Sequence, residues 1–566
     1  MSTATLKRKR VDVSTKPTQP KKTVKTGRVN FDNSLSPAAG PEPQTETAAQ
    51  RYAPPKSLIT TSHPEAIAVQ IVTGSYDRVL HGVCAEIPLE ALVQPTTPEN
   101  TTNGTDKTAS TSKALTFSDT FLFAAHTASI RCLALSPPTD ADKRILATGS
   151  SDERINLYNL STAPPSSSKP RTLTPRPSLL SSTSSTAENP RNRSLGNLIH
   201  HDRPVTRLSF PSKSKLFSAA EDNAIAISRT RDWTVLSSIK APIPKPQGRP
   251  SGDTAGPGEV PAGVNDFAIH PSQKLMLSVG RGERCMRLWN LMTGKKAGVL
   301  NFDRDLLMQV GEGRYSSGEG RRVLWNDGGE MYVVGFERGA VVFGIDSKPK
   351  AIIRPPPSTK LHQMRFLLPA SASATDESVL RKDILAMSTE DGRILLYNLA
   401  EFLSETGEPD GPQQQNKLPN LPCLAQLGGQ AAGITSRIKD FDVVQLRSKA
   451  SDTETSVLIV AGSSDGAIRL FTVSKSDLAA APQLEGNDEV VANREEVADN
   501  SKQQTAKQVG NLIGTLETGN RITCIGAFLM DGKVTGENAA AGEINAEEDM
   551  LSDEVESEDD VVGAQI

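Results

Sequence analysis

The sequence has few cysteines, few aromatic side chains and no long apolar run, and each shortage argues against a class of protein. Its five cysteines include no CxxC pair, which argues against a disulfide scaffold or a zinc ribbon and fits a reducing compartment. No stretch approaches the roughly 18 consecutive apolar residues of a membrane helix, and the amino-terminal segment lacks the apolar core of a secretory signal. We therefore predict a protein that works inside the cell and away from membranes.

An excess of one charge is also missing from the chain as a whole. Lys and Arg number 63 against 66 Asp and Glu, so a net charge of −3 argues against a surface built throughout to hold nucleic acid. The two ends differ from this average. Residues 1–28 carry nine basic side chains and one acidic one, whereas residues 543–560 carry ten acidic side chains and no basic one. We interpret the two ends as disordered tails of opposite charge.

The sequence does contain an internal repeat. Seven short segments share an apolar run, small residues and an acidic residue, as in IVTGSYD and LATGSSD. The seven acids are Asp77, Asp152, Asp222, Glu283, Glu337, Asp391 and Asp465. In five repeats a second apolar run follows at once and places an aromatic residue six positions after the acid. Two strands joined by a tight acidic turn predict a β-hairpin.

Another strand precedes most of the hairpins, as in SIRCLALS and VNDFAIHP. The complete unit resembles the blade of a WD-repeat β-propeller, in which four strands recur about every 40–45 residues. We predict an all-β fold, a seven-bladed WD-repeat β-propeller at 61–530, with disordered tails at 1–60 and 531–566. The first hairpin lacks preceding strands, and 511–530 contains two strand-like runs without a hairpin. Together they are expected to complete one blade and close the ring.

Seven such blades need fewer residues than this span contains, so long insertions between strands are expected. Their Ser, Thr, Pro, Gly or charge-rich composition buries too little apolar area to offset the entropy of ordering, which predicts disorder. The insertions are placed at about 92–115, 161–195, 241–263, 401–421 and 474–505.

The repeated acids are interpreted as structural. A carboxylate in a tight turn accepts hydrogen bonds from turn amides, and in WD repeats it also pairs with a buried histidine at the start of the blade. His126 before Asp152 and His201 before Asp222 match that arrangement, and the other blades lack the histidine. His200 and His201 are neighbours, which in a strand point to opposite faces, so a shared metal ion is not expected.

No catalytic or cofactor motif emerges from the sequence. GSSDG at 462–466 matches the G-x-S-x-G pattern of a hydrolase, but that motif leads from a strand into a helix, whereas here a second strand follows. Ser464 is therefore interpreted as a turn residue. Neither a Walker A sequence nor an HExxH motif occurs. We predict a non-enzymatic protein without a cofactor or metal ion.

Segments from all seven repeats carry a more specific resemblance. GSYDRVLHGV, FAAHTASIRCLALSP, RLWNLMTGKKAGVLNF and ETGNRITCI are similar to the p21-activated-kinase-interacting protein family, whose fungal members are nucleolar assembly factors of the large ribosomal subunit. The resemblance covers about 67–160, 196–240, 264–400 and 424–530. It implies a scaffold in the nucleus and nucleolus that joins 60S precursor particles and supports maturation of precursor rRNA. Ribosome-assembly proteins and precursor rRNA are then its expected partners, with the chain a monomer in a larger complex.

Two other functions remain open at this point. The same family resemblance implies binding and restraint of a p21-activated kinase, which makes the chain a candidate signalling regulator. A propeller can also serve as a substrate adaptor for a ubiquitin ligase or a chromatin complex. Exposed arginines at the turns, such as Arg154, Arg281 and Arg284, are candidate contacts for RNA or acidic partners.

The tails contain two further candidate sites. Two basic clusters separated by ten residues have the spacing of a bipartite nuclear import signal, which favours a nuclear import receptor as a partner. The clusters consist of Lys7, Arg8, Lys9, Arg10, Lys21 and Lys22. Near the other end, Ser557 precedes three acidic residues and is a candidate for phosphorylation by an acid-directed kinase.

Overall fold

The structure, a computed structural model, describes eleven parts of the chain and contains seven four-stranded antiparallel sheets. The described residues are 66–89, 115–138, 143–164, 189, 191–244, 262–313, 316–367, 383–400, 417–447, 455–474 and 506–530. The predicted tails and most of each predicted insertion lie outside them. Each sheet is one blade, and strands are named inner, second, third and outer from the central channel outward.

The first four blades are built as follows. Blade 1 consists of β28 (Ile522–Leu529), β1 (Ala66–Ser75), β2 (Val79–Pro88) and β3 (Thr116–Ala124). Blade 2 consists of β4 (Ile130–Leu135), β5 (Lys143–Ser150), β6 (Ile155–Ser161) and β7 (Arg193–Leu198). Blade 3 consists of β8 (Val205–Ser212), β9 (Lys215–Ala220), β10 (Ala224–Arg229) and β11 (Val235–Lys240). Blade 4 consists of β12 (Val264–Ile269), β13 (Leu275–Gly280), β14 (Cys285–Asn290) and β15 (Lys295–Asn301).

The remaining three blades repeat the same order. Blade 5 consists of β16 (Arg322–Trp325), β17 (Met331–Gly335), β18 (Ala340–Gly344) and β19 (Pro349–Ile353). Blade 6 consists of β20 (Leu361–Phe366), β21 (Ile384–Thr389), β22 (Arg393–Asn398) and β23 (Ala425–Gly428). Blade 7 consists of β24 (Ile438–Arg447), β25 (Thr455–Ser463), β26 (Ala467–Val473) and β27 (Asn511–Glu517). The predicted seven-bladed propeller is thereby confirmed.

The core consists of seven apolar clusters, each between two consecutive blades. A middle strand therefore packs on both of its faces, so β17 and β18 are buried at every position and read as unbroken apolar runs. Outer strands such as β7, β11 and β15 are mostly exposed and mix polar with apolar residues. This difference between middle and outer strands explains why the hairpins give the strongest signal in the sequence.

The ring closes between the two ends of the described chain, as predicted. Strand β1 pairs with β28 from Val69 opposite Leu529 to Ser75 opposite Ile522. One detail of the prediction is wrong, because only the second of the two strand runs in 511–530 enters blade 1. The first run forms β27, which pairs with β26 and supplies the outer strand of blade 7.

Two predicted insertions are shorter than expected at their carboxyl-terminal ends. Within 161–195, Arg193 already begins β7, and the side-chain oxygen of Asn192 accepts a hydrogen bond from the Ser161 amide at 2.9 Å. Within 401–421, residues 417–421 lie along β19, where the Ile352 amide donates to the Pro419 carbonyl and the Leu421 amide donates to the Ile352 carbonyl, each at 2.9 Å. Both segments are polar or rich in proline, so their composition concealed an ordered contact that depends on a neighbouring strand.

Helical structure is scarce among the described residues. Helix α1 (Arg304–Val310) follows β15 and packs Leu307 and Val310 into the core between blades 4 and 5. A 3-10 turn occupies Gln430–Ala432. Neither segment has the length and apolar character required to cross a lipid bilayer.

Removal of β28 tests whether closure stabilises the ring. A chain that ends at Arg521 loses the burial of Ile522, Ile525 and Phe528, each contributing roughly 1.5–3 kcal/mol, and leaves β1 with an open edge. We expect a loss of at least about 5 kcal/mol in unfolding free energy and marked aggregation. Thermal unfolding followed by circular dichroism, with size-exclusion chromatography, measures both. A chain that ends at Met530 is the matched control, and equal melting of the two truncated chains would contradict this role of β28.

Candidate functional site

The seven repeated acids lie on one face of the ring, in the turns between the second and third strands of each blade. We call this the turn face. In the turns of blades 2, 3 and 7, the acid accepts a hydrogen bond from the amide two residues later, at 3.2 Å for Asp152, 2.8 Å for Asp222 and 3.0 Å for Asp465. The residue between has a positive φ, such as 68° at Glu153 and 91° at Gly466. A short acidic side chain thus stabilises a left-handed turn residue.

In six of the seven blades, a backbone hydrogen bond joins the turn to the start of its own inner strand. The Tyr76 amide donates to the Arg521 carbonyl at 2.8 Å, and the Ser464 amide donates to the Arg437 carbonyl at 3.0 Å. The equivalent bond forms in four other blades, from Ser151, Glu221, Arg281 and Glu390 to Ser129, Pro204, Gly263 and Lys360. The inner strands therefore all begin at the turn face, around one mouth of the central channel. Ser464 is a hairpin-turn residue in this arrangement.

Two of the acids contact the histidines that the sequence pairs with them. His126 Nδ1 lies 3.1 Å from Asp152 Oδ2, and its Nε2 lies 2.9 Å from the Thr148 hydroxyl. Burial lowers the pKa of His126 despite the nearby carboxylate, so we assign the neutral ring with Nδ1–H donating to Asp152. His201 makes the equivalent contacts with Asp222 at 2.9 Å and with Ser218 at 2.8 Å. These polar groups are placed to hold the turn against the start of the blade.

The strand placement assumed for His200 and His201 is wrong. His200 and His201 lie in the loop before β8, not in a strand, so alternation of side chains does not apply. Their ring centroids are 4.4 Å apart, and both rings contact the Ser218 hydroxyl. Burial and the neighbouring His201 lower the pKa of His200 to about 4. In the described part of the chain, no group of three His, Cys, Asp or Glu side chains is arranged to hold a metal ion.

Acids in the blades without a histidine contact basic side chains that the sequence analysis did not identify. Glu283 pairs with Arg287, Asp465 with Arg469 at 2.9 Å, and Asp391 with Arg393. The first two arginines stand four residues after the acid and two before the aromatic residue of the third strand. That shared spacing, in CMRLW and AIRLF, is the signal that could have identified them.

The remaining two acids, Glu337 and Asp77, have other partners. Glu337 binds Arg321 at 3.1 Å and, across the blade boundary, Lys360 at 3.0 Å. Asp77 accepts the Arg521 amide at 3.3 Å. The partly buried carboxylate of Asp222 has a pKa below the ordinary value, because hydrogen bonds from His201 and turn amides outweigh the effect of burial.

Polar contacts join every pair of neighbouring blades around the channel. Five of them run from a side chain to a backbone carbonyl of the next blade within 3.0 Å, for example from Thr523 to Ile130, from Thr206 to Val264 and from Arg365 to Phe441, each at 2.6 Å. Blades 2 and 3 are joined by Arg131 and Glu221 at 2.8 Å, and blades 7 and 1 by Asp440, which accepts the Ile525 amide at 3.0 Å. The channel wall is thus a continuous polar ring.

The channel mouth on the turn face carries a concentration of basic side chains. Six of them flank the first residue of an inner strand, and the seventh, Arg322, is itself the first residue of β16. They come from five consecutive blades, from blade 5 through blade 7 to blade 2. We call this set the cationic arc, and it consists of Arg321, Arg322, Lys360, Arg437, Lys439, Arg521 and Arg131. The equivalent positions in blades 3 and 4 are the uncharged residues Pro204, Thr206, Gly263 and Asn265.

Three carboxylates pair with part of the cationic arc. Glu337 binds Arg321 and Lys360, Glu221 binds Arg131, and Glu390 lies 3.6 Å from Arg437. Among the described residues, no carboxylate lies within ion-pair distance of Lys439 or Arg521. The sequence analysis missed this set, although each inner strand begins with a recognisable segment such as RIKDF or KLHQM. Of the turn arginines it named, Arg281 binds Glu221 at 3.0 Å and Arg284 donates to the Ser317 carbonyl at 2.8 Å.

The five cysteines are not paired with one another. Four of them are buried and Cys423 is half-buried. Burial, followed by the charge of Glu86, raises the pKa of Cys84 to about 11, and burial raises that of Cys132 to about 12. These thiols are therefore protonated at neutral pH and act as small core side chains.

Comparison with known proteins agrees with the fold. The WD domain, G-beta repeat family matches residues 117–159, which contain His126, Thr148 and Asp152. Protein MAK11 of Saccharomyces cerevisiae is 25% identical over 431 residues, covering 73% of this chain and 79% of the yeast protein. The p21-activated protein kinase-interacting protein 1-like proteins of Xenopus laevis and Danio rerio are 24% and 26% identical, covering 64% and 41% of this chain and 69% and 45% of their own lengths.

The acids predict a graded effect on stability. Replacing Asp222 by Ala is expected to lower the free energy of unfolding by about 1–3 kcal/mol, because His201 and the Ala224 amide lose a buried acceptor. Replacing Asp77 by Ala removes the acceptor of the Arg521 amide and is expected to cost less than about 1 kcal/mol. Urea unfolding followed by circular dichroism compares the two variants.

The exposed neighbour Asp202 offers a control, since Asp202→Asn preserves the backbone amide that faces Asp222 and is expected to unfold like the wild type. Equal losses for Asp222→Ala and Asp77→Ala would contradict the different roles assigned to these acids.

Proposed function

We propose that this chain, a WD-repeat β-propeller related to yeast Protein MAK11 and to the vertebrate p21-activated protein kinase-interacting protein 1-like proteins, is a non-enzymatic assembly factor for the large ribosomal subunit. The observation that carries the proposal is similarity to MAK11 across most of both chains. The sequence segments that resemble this family's fungal branch, whose members act in the nucleolus, come from all seven blades.

The architecture supports a scaffolding role. Seven interlocked apolar cores and the polar channel wall make a ring whose faces keep a constant shape. Rigid elements of this kind position loops and turns for binding. The acids and histidines of the turn face contact one another and the backbone, which fits structural rather than catalytic work. In this proposal the ring holds assembly proteins and precursor rRNA in place until maturation displaces it.

A nuclear and nucleolar location is part of the proposal. The basic residues Lys7–Arg10 and Lys21–Lys22, which lie outside the described residues, serve here as a bipartite import signal. Such a signal favours nuclear work over signalling at the plasma membrane. The acidic run at 543–560 and Ser557, also outside the described residues, provide a candidate contact for basic ribosomal proteins and its phosphorylation site.

A second candidate function comes from the names of the vertebrate relatives, which describe interaction with a p21-activated protein kinase. In that case the ring binds the kinase and restrains it. The two functions differ in the partner that co-purifies with the protein, so one separation distinguishes them.

Sedimentation of the tagged full-length protein through a density gradient at moderate salt tests the proposed function. We expect comigration with large-subunit precursor RNA and assembly proteins, and loss of that comigration after nuclease treatment of the extract. Migration as a free protein, with a p21-activated kinase or with another nuclear complex would overturn the proposal.

Deletion of residues 1–28 tests the import signal. The deleted chain is expected to move to the cytoplasm, because both basic clusters are lost together. Fluorescence microscopy of tagged protein measures the nuclear fraction, and fusion of a known import signal to the deleted chain is expected to restore it. Unchanged nucleolar enrichment of the deleted chain would reject this assignment.

A further inference from the structure

The cationic arc holds like charges close together without enough carboxylates to balance them. Seven cations face Glu337, Glu390 and Glu221, and each of these carboxylates is already bound to at least one of the arginines or to Lys360. Asp266 and Asp440 are further negative charges that act on Arg322. Arg322 uses its Nε to hold the His362 carbonyl at 3.0 Å. The mouth of the channel therefore carries an excess of positive charge at its rim.

Burial and this excess of positive charge lower the pKa of neighbouring basic side chains. Burial and then the charges of Lys439 and Arg322 lower the pKa of His362 to about 3, so its ring is neutral. Burial and the charges of Arg437 and Arg521 lower the pKa of Lys439, and together they outweigh the opposing charge of Glu390. Side chains from four blades thus share one electrostatic environment, although they are far apart in sequence. Concentrated charge of this kind destabilises the free protein and is relieved by a bound polyanion.

An exposed aromatic ring adjoins the arc. Tyr76 is 59% exposed in the turn of blade 1, and the Arg521 guanidinium lies 5.5 Å from its ring centroid. The other large apolar side chains exposed among the described residues lie on outer strands or on the connections to and from them. The channel mouth therefore lacks the apolar centre that a protein partner normally covers.

Basic side chains beside an exposed aromatic ring form the usual platform for an unpaired nucleic-acid strand, in which phosphates contact the cations and a base stacks on the ring. Arginine suits this work because its planar group binds phosphate oxygens through two hydrogen bonds. Stacking on Tyr76 requires a base that is free of its pairing partner, which favours a single strand over a duplex.

We propose that the cationic arc binds the phosphate backbone of a single-stranded RNA segment, with one base stacked on Tyr76. This inference deepens the proposed function, on which it rests, and assigns the turn face as the side of the ring that meets precursor RNA. Lys439 and Arg521 contact phosphates directly, since neither side chain lies within ion-pair distance of a carboxylate among the described residues; Asp77 binds only the backbone amide of Arg521. The carboxylate-bound members of the arc supply the surrounding positive potential.

The test uses the full-length chain and a fluorescent single-stranded oligouridine of about 12 nucleotides, with anisotropy measured between about 50 and 200 mM salt. In Lys439→Gln/Arg521→Gln we expect affinity to fall roughly 25-fold at 0.1 M salt and the salt slope to fall by about 1.4, because two phosphate contacts are lost. The matched control is Lys295→Gln/Lys296→Gln, which removes two exposed cations from outer strand β15 and is expected to bind like the wild type.

Substitutions at Tyr76 separate stacking from charge. Tyr76→Ala is expected to weaken binding at least about fivefold with an unchanged salt slope, and Tyr76→Phe is expected to preserve it. Circular dichroism melting of each variant establishes that the ring is intact. Equal weakening by the arc and control variants would overturn the proposal, because it would show only the effect of net charge.

Two further outcomes test whether the cationic arc binds RNA. Binding of a polyglutamate peptide that depends on Lys439 and Arg521, without RNA binding, would assign the arc to an acidic protein segment and overturn the RNA proposal. If the wild-type chain comigrates with precursor RNA and Lys439→Gln/Arg521→Gln does so equally, the assembly function stands and the arc proposal fails. Loss of comigration in the variant alone supports both.

Discussion

Pairing of β1 with β28 is the contact on which the rest of the ring depends. These strands come from opposite ends of the described chain, and their register from Val69 opposite Leu529 places Ile522 and Ile525 in the core between blades 7 and 1. Since each blade needs a neighbour on both faces to bury its middle strands, one open boundary would expose two blades at once. Closure therefore converts seven similar sheets into a single cooperative body.

A second level of organisation fixes how each blade meets the turn face. The amide of the hairpin turn donates to the carbonyl that precedes the inner strand in six blades, whatever the side chains are. The acid then adds partners that differ from blade to blade. Asp222 pairs with His201, Asp465 with Arg469, and Glu337 with Lys360 of the next blade. The backbone bond is therefore repeated from blade to blade, whereas the side chains around it vary. This variation allows a specific surface to form on a common fold.

That freedom explains the asymmetry of the channel mouth. The positions that flank the inner-strand starts carry basic side chains in five consecutive blades and uncharged residues in blades 3 and 4. The electrostatic consequence is a one-sided field beside Tyr76, on a ring that is otherwise close to a repeating structure. A partner that binds this mouth therefore meets a surface with a preferred orientation, which a symmetric ring would lack.

The sequence by itself determined the number of blades, the position of each hairpin turn and the closure of the ring. These depend on local patterns, since an apolar run, a small residue and a turn acid act within about ten residues of one another. The same local information identified His126 and His201, which stand before their acids at a recognisable spacing. It failed at residues 189–195 and 417–421, whose order comes from β6 and β19. Only the tertiary structure decided which cations share a surface. Arg131, Arg322, Lys439 and Arg521 are separated by long stretches of chain and lie together around one channel mouth. The positions of charges along a sequence do not show which of them become neighbours in the folded ring.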